Sequence, residues 1–329
     1  MSPRARILVI VGAIAALAVG ATVAVAVITS TDEDKGETKA TPLQGVPPLA
    51  LDFGVRVDPE ARALRRAARL YDDKKRGAAG RIFARYQSPA AQIGAAFARW
   101  PDDSLAKVQR LAEQHPGDSL VQLHLGYASL WAGHGAEAGA AWRKASVAQP
   151  DSPSAQRADD ALHPNFPPGE PLFVPTFDPP AGIHRLSPPQ QYAFLRRRAA
   201  RPDVRAKLLY GLALQRLFHR VSARKQYDAA AKLAPRDPEA QVAAAVARFD
   251  KSRPATAFSR LGPLTKRFPQ AATVRFHLGL LLLWLSRSQP GSCAEAKRQL
   301  RLARSEDPGS SLAREANRLL TSLENVRTC

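Results

Sequence analysis

Along most of the chain, apolar residues return every three or four positions, and small or polar residues break the runs, which is the period of amphipathic helices rather than strands. Residues 119–152 carry the clearest example. Leu125 and Gly126 lie in one amphipathic stretch and Gly133 opens a turn. Ala138, Trp142 and Ala145 then fall on one face of a second stretch, and Pro150 ends it. Proline has no N–H to give a helix interior, so Pro150 is a stop. The small side chains at 126, 138 and 145 let two helices approach, and Trp142 fills the space beside them. The pattern predicts a helix hairpin that cannot bury its apolar face alone and so needs stacked neighbours.

The hairpin recurs. Pro116 and Pro150 are 34 residues apart, and so are Pro235 and Pro269. Residues 204–237 repeat the internal spacing with Gly211, Ala223, Tyr227, Ala230 and Pro235. Residues 238–271 are looser, with Ala245 in the place of the glycine and Ala257, Leu261, Leu264 and Pro269 in the later places. From 272 onward Gly279, Ala296, Leu300, Ala303 and Pro308 follow, with extra residues at the turn around Ser288 to Gly291. Two stretches reading Val-x-x-His-Leu-Gly, at 121–126 and 274–279, lie 153 residues apart, as do Leu130-Trp131 and Leu283-Trp284, which suggests duplication of a larger block. Residues 59–87 read as a degenerate hairpin, and 85–118 keep the helical pattern with Leu111 and Pro116.

With these glycine, alanine, aromatic and proline places, the chain resembles the tetratricopeptide repeat family over about residues 85–310. The resemblance implies an all-α fold, a right-handed α-solenoid of helix hairpins. It also implies a concave groove lined by the first helix of each hairpin. In this sequence those places hold Leu123, Tyr127, Leu130 and Trp131, then Leu208 and Leu212, then Phe276, Leu280 and Trp284. Family members that grip a C-terminal carboxylate use Lys, Arg and Asn at such places, and this chain departs from that pattern. The expected ligand is therefore an unidentified protein or an apolar, extended peptide. The chain's own insert, through Phe166, Phe173 and Phe177, is one candidate occupant.

The organisation expected from these patterns runs as follows. Residues 29–57 form a disordered linker, 58–152 hold the N-terminal hairpins, 204–310 hold three repeats, and 311–329 form a capping helix with Leu312, Ala316, Leu319, Leu320 and Leu323 on one side. Between the repeat blocks, 153–203 is interrupted by prolines from Pro164 to Pro189, which forbid regular helix. That region reads as one hairpin with an expanded turn, and a linker between two subdomains is the open alternative.

Ile7 to Ile28 are 22 residues without a charge, and as a helix they reach about 33 Å, enough for a bilayer core of about 30 Å. Arg4 and Arg6 precede the segment and Asp32, Glu33 and Asp34 follow it. The positive-inside bias then makes 7–28 a single-pass transmembrane signal anchor, with residues 1–6 cytoplasmic and the bulk outside a cell membrane. Cleavage near Ala24-Val25-Ala26 would instead yield a secreted protein.

Composition changes the picture in two ways. Lys and Arg number 48 against 29 acidic residues, a net charge of +19, concentrated at Arg62, Arg65, Arg66 and Arg69, at 74–76, and at 196–198 with Arg201 and Arg205. Such excess attracts anionic polymer or lipid headgroups, while the predicted topology argues against nucleic acid as a partner. The two cysteines have no metal-ligand spacing. Cys293 opens the second helix of the last repeat, and a capping helix running back beside it returns Cys329 to its neighbourhood. A disulfide and two free thiols both remain open.

The sequence has no glycine-rich phosphate loop and no nucleophile elbow, so no catalytic, cofactor-binding or metal residues are assigned and the chain is expected not to be an enzyme. His124 and His277 occupy equivalent repeat places without a second ligand in the adjacent turn, and read as structural or surface residues. The expected role is a membrane-anchored extracytoplasmic adaptor or assembly scaffold of the cell envelope. The alternative is an electrostatic binder of anionic envelope polymer or lipid headgroups.

Overall fold

Several helix starts in this chain are written by one short signal, an Asp or Ser followed by Pro. In the computed structural model, which describes residues 41–289 and 291–324, Asp58, Ser88, Ser152 and Asp237 each accept backbone N–H groups of the first turn. In each case the next residue is a proline, whose missing N–H costs nothing at that position. Asp118 and Asp203 cap without the proline. Among the described residues every regular element is helical. The expected membrane segment 7–28 lies outside them, and no described helix is long and apolar enough to cross a membrane.

The chain divides into two compact units, parting between Pro164 and Asn165. In the first, α1 (Pro59–Asp72), α2 (Arg76–Phe83), α3 (Pro89–Ala98), α4 (Ser104–Gln114), α5 (Ser119–Trp131), α6 (Gly135–Ala148) and α7 (Pro153–Leu162) each pack on the next. In addition α1 packs on α3, α3 on α5 and α5 on α7, so the odd helices form one layer and the even helices the other. That is a stack of hairpins. The pairs are antiparallel: the Ser119 hydroxyl at the start of α5 donates to the Ala145 carbonyl near the end of α6 at 2.6 Å.

The second unit contains α8 (Pro188–Ala199), α9 (Val204–Arg216), α10 (Arg220–Leu233), α11 (Pro238–Val246), α12 (Ala255–Leu261), α13 (Leu264–Arg267), α14 (Ala272–Leu285), α15 (Ser292–Glu306) and α16 (Ser311–Glu324). Here α9, α11, α14 and α16 form the layer of first helices. The loose repeat at 238–271 keeps its first helix, and its second is broken at Gly262-Pro263 into α12 and α13.

The glycines of the repeat are required by contact. A Cβ at Gly126 would overlap the Trp142 indole, and one at Gly211 would stand 2.5 Å from the Tyr227 ring. One at Gly279 would stand 2.9 Å from Leu300. Ala138, Trp142, Ala145, Ala223, Tyr227, Ala230, Ala296 and Ala303 are all buried at these contacts or beside them. Phe83 and Gly94 make a further lock of the same kind, with a Cβ at Gly94 lying 2.6 Å from the ring. This one lies in the region where the repeat pattern is faintest.

Two expectations are corrected. The hairpin expected over 153–203 is not one hairpin, because α7 packs on α5 and α6 in the first unit while α8 packs on α9 in the second. The prolines between them form no turn between paired helices, and much of that segment is built into the core of the second unit, with Phe173 at 1% exposure. The linker expected over 29–57 is likewise anchored from Leu43 onward, for reasons that belong to the site. Cys293 is buried near the start of α15, whereas Cys329 lies outside the described residues.

Candidate peptide-binding groove

Each unit carries a non-helical strap across its layer of first helices. In the first unit the strap is 43–54, in the second 166–177. Both are rich in proline, which fixes the backbone near extended values and removes donors that would otherwise need partners. A half-buried strap still has polar main-chain groups to satisfy, and side chains from the helices do this for several of them.

In the first unit the Ala50 N–H donates to His124 Nε2 at 3.1 Å. The Tyr71 hydroxyl of α1 donates to the Pro47 carbonyl at 2.7 Å, and the Leu43 N–H donates to the Trp131 carbonyl at 3.0 Å. Leu49 is buried, and the Arg65 guanidinium lies 5.6 Å from the centre of the Phe53 ring. Arg65 also donates to the Gly54 carbonyl, and Arg157 of α7 faces Asp52 at 3.9 Å.

In the second unit the Val174 N–H donates to His277 Nε2 at 2.9 Å. Gln215 of α9 reads the strap with both ends of its amide: Oε1 accepts from the Phe173 N–H at 3.2 Å and Nε2 donates to the Pro171 carbonyl at 3.0 Å. Glu239 of α11 accepts the Thr176 N–H at 2.5 Å, with burial raising its pKa above the usual carboxylate value. Phe173 stacks on the His277 ring at 5.3 Å and 17°, and Arg205 lies 5.2 Å from the Phe177 ring centre.

The two histidines are held in one tautomer. His124 Nδ1 is 2.7 Å from the Leu120 carbonyl and His277 Nδ1 is 2.7 Å from the Thr273 carbonyl, each four residues earlier in its own helix. A carbonyl can only accept, so Nδ1 carries the proton and Nε2 presents a lone pair to the strap. Burial disfavours the charged ring and lowers both pKa values to about 4. Histidines read from the sequence as structural or surface residues are thus the main-chain acceptors of the straps.

The places expected to line a groove divide into two sets. Leu123, Leu208 and Phe276 are at most 1% exposed and belong to the packing between helices. Leu212 is also buried. Tyr127, Leu130, Trp131, Leu280 and Trp284 are half-buried on the strap side. Tyr127 and Leu130 pack in one apolar cluster with Ala50, Leu280 in one with Val174, and the Trp284 ring meets Phe249, which in turn meets Phe166. Trp131 shares with Leu43, Val46, Arg76 and Trp100 the lining of a cavity of about 560 Å³. The polar readers Tyr71, Gln215 and Glu239 had no signal in the repeat pattern. What could have revealed the site is the pairing of two repeat histidines with two similar strings, Pro47–Phe53 and Pro171–Phe177.

No protein-family profile matches this sequence, and no curated protein matches it. Among solved structures it is similar to yeast Tom70, with 14% identity and a TM-score of 0.29. That match covers 76% of this chain and 62% of the other, so the chain spans less than two thirds of its length. At that score the likeness carries no argument about fold or role.

Proposed function

We propose that this chain is a protein-binding scaffold, held at a cell membrane by residues 7–28, whose layers of first helices bind extended polypeptide. One observation carries the reading: in both units a non-helical segment lies across the first helices with its backbone N–H accepted by a repeat histidine. Recognition through main-chain groups accommodates varied side chains, and half-buried aromatics beside it supply apolar contact. A binding role rather than catalysis is the reading for the whole chain.

The test places a photo-crosslinking residue at Leu130 or Leu280 on the strap side, and at the exposed Val147 or Leu233 as controls, in the full chain with its anchor. Defined adducts from the strap side that persist in high salt are expected. Equal labelling from both sets would remove the groove as the binding face. The second reading, electrostatic contact with anionic polymer or lipid, is supported by the exposure of Arg196, Arg197 and Arg201 in the densest basic run. It predicts instead association that weakens steeply as salt is added.

A further inference from the structure

The two straps meet their grooves in the same register. Counting from Pro47 and Pro171, the first residue offers its carbonyl to a side-chain donor, from Tyr71 in one unit and Gln215 in the other. The third residue, Leu49 or Phe173, is buried. The fourth, Ala50 or Val174, gives its N–H to the repeat histidine. The seventh, Phe53 or Phe177, lies beside an arginine guanidinium of the unit's first-helix layer, Arg65 on α1 or Arg205 on α9. Four separate points therefore coincide.

Chain continuity does not force the coincidence. Phe53 precedes Arg65 by 12 residues, whereas Phe177 precedes Arg205 by 28, with the whole of α8 between them. Straps entering by connections of different length still settle with the same residue on the histidine. The helices, not the connections, choose the register.

We propose that each unit holds one peptide-recognition site and that the two share a specificity. The ligand is an extended segment reading Pro-x-(Leu/Phe)-(Ala/Val)-x-x-Phe, and the straps are its occupants in cis. A partner protein displaying that string in an unfolded tail is the ligand in trans. The proposal rests on the scaffold reading above and adds the ligand's chemistry to it. A strap joined by a short connection competes at an effective concentration on the order of millimolar, so a free peptide binds the intact chain weakly and an emptied groove well.

The experiment uses the full chain with residues 47–53 replaced by Gly and Ser, and a fluorescent peptide spanning 168–179 as the probe. Saturable binding that weakens by a factor of about 5 or more in His124→Phe, and that is at least about tenfold weaker to the unaltered chain by that competition, is the expected result. A folded, strap-free chain that ignores the peptide, or that binds a scrambled one equally, overturns the proposal. Should the strap-free chain not fold, exchange replaces deletion: 47–53 is rewritten with the sequence of 171–177, and in a second variant with its own residues shuffled. The exchanged chain should melt close to the unaltered one and the shuffled chain well below it. Equal destabilisation of both overturns the shared specificity. Failure to crosslink any partner while exchange succeeds would sink the scaffold reading and leave the specificity standing.

Discussion

Replacing His277 with Phe tests whether the histidine acceptor holds the strap. The ring keeps its approximate size and can still stack on Phe173, but the Nε2 acceptor 2.9 Å from the Val174 nitrogen is gone. Thr273 O loses its contact with Nδ1, which is a minor matter, since a helix carbonyl retains its own backbone bond. The half-buried Val174 N–H is left without its side-chain acceptor, at a cost of about 1–3 kcal/mol. For a unit of this length each kcal/mol moves the midpoint by roughly 2–4 °C, so the transition of the second unit should fall by about 2–12 °C. Hydrogen exchange reports the same loss locally. Amides of Leu172, Phe173, Val174 and Thr176 should exchange faster by a factor of about 5 to 150, while those of α5 in the first unit stay unchanged. An unchanged melting midpoint together with unchanged protection of Val174 would refute the reasoning, because it would mean that packing alone seats the strap.

Acid should weaken both units. His124 and His277 each have an ordinary pKa of 6.5 and a folded value of about 4. Above 6.5 folded and unfolded chains are both neutral there and the contribution is complete. As pH falls from 6.5 to about 4 the unfolded chain takes up a proton that the folded one refuses, so stability drops by about 1.4 kcal/mol per histidine for each unit of pH. Resonances assigned to the His124 and His277 rings titrating near 6.5 in the folded protein would contradict this. Gly126→Ala should destabilise by about 1–3 kcal/mol in denaturant unfolding, because the new methyl overlaps Trp142. Gly139→Ala, which meets only the flexible end of Arg143, should instead stabilise by up to about 1 kcal/mol. If Cys293 pairs with Cys329, mass spectrometry of the unreduced protein will find no free thiol and reduction will lower stability by about 3–4 kcal/mol. Two alkylatable thiols would exclude the pair.

Helix hairpins were legible along the chain because their determinants are local. A 3.6-residue apolar period, an Asp or Ser before a Pro, and a glycine 16 residues ahead of an aromatic each act within one hairpin. Gly126 with Trp142 and Gly211 with Tyr227 therefore appear in the sequence at the same spacing as in the fold. The capping helix was legible in the same way, with Leu312, Ala316 and Leu320 buried at helical spacing. The straps were not. Their prolines and alternating burial read as linker and insert, since an extended segment has no internal hydrogen bonds and its partners lie 74 and 103 residues away. The division at Pro164 was legible only as one of two alternatives, for a related reason. Prolines between two helical patterns stop a helix identically whether the chain is turning within a hairpin or passing from one unit to the next.

The sequence by itself determined where helices begin, where they stop and which small residues must meet a ring, because those are contacts between neighbours in the chain. Only the tertiary structure decided what His124 and His277 do. An imidazole accepts a backbone N–H when its other nitrogen is tied to its own helix and water is excluded. The second condition exists only once strap and helices have come together.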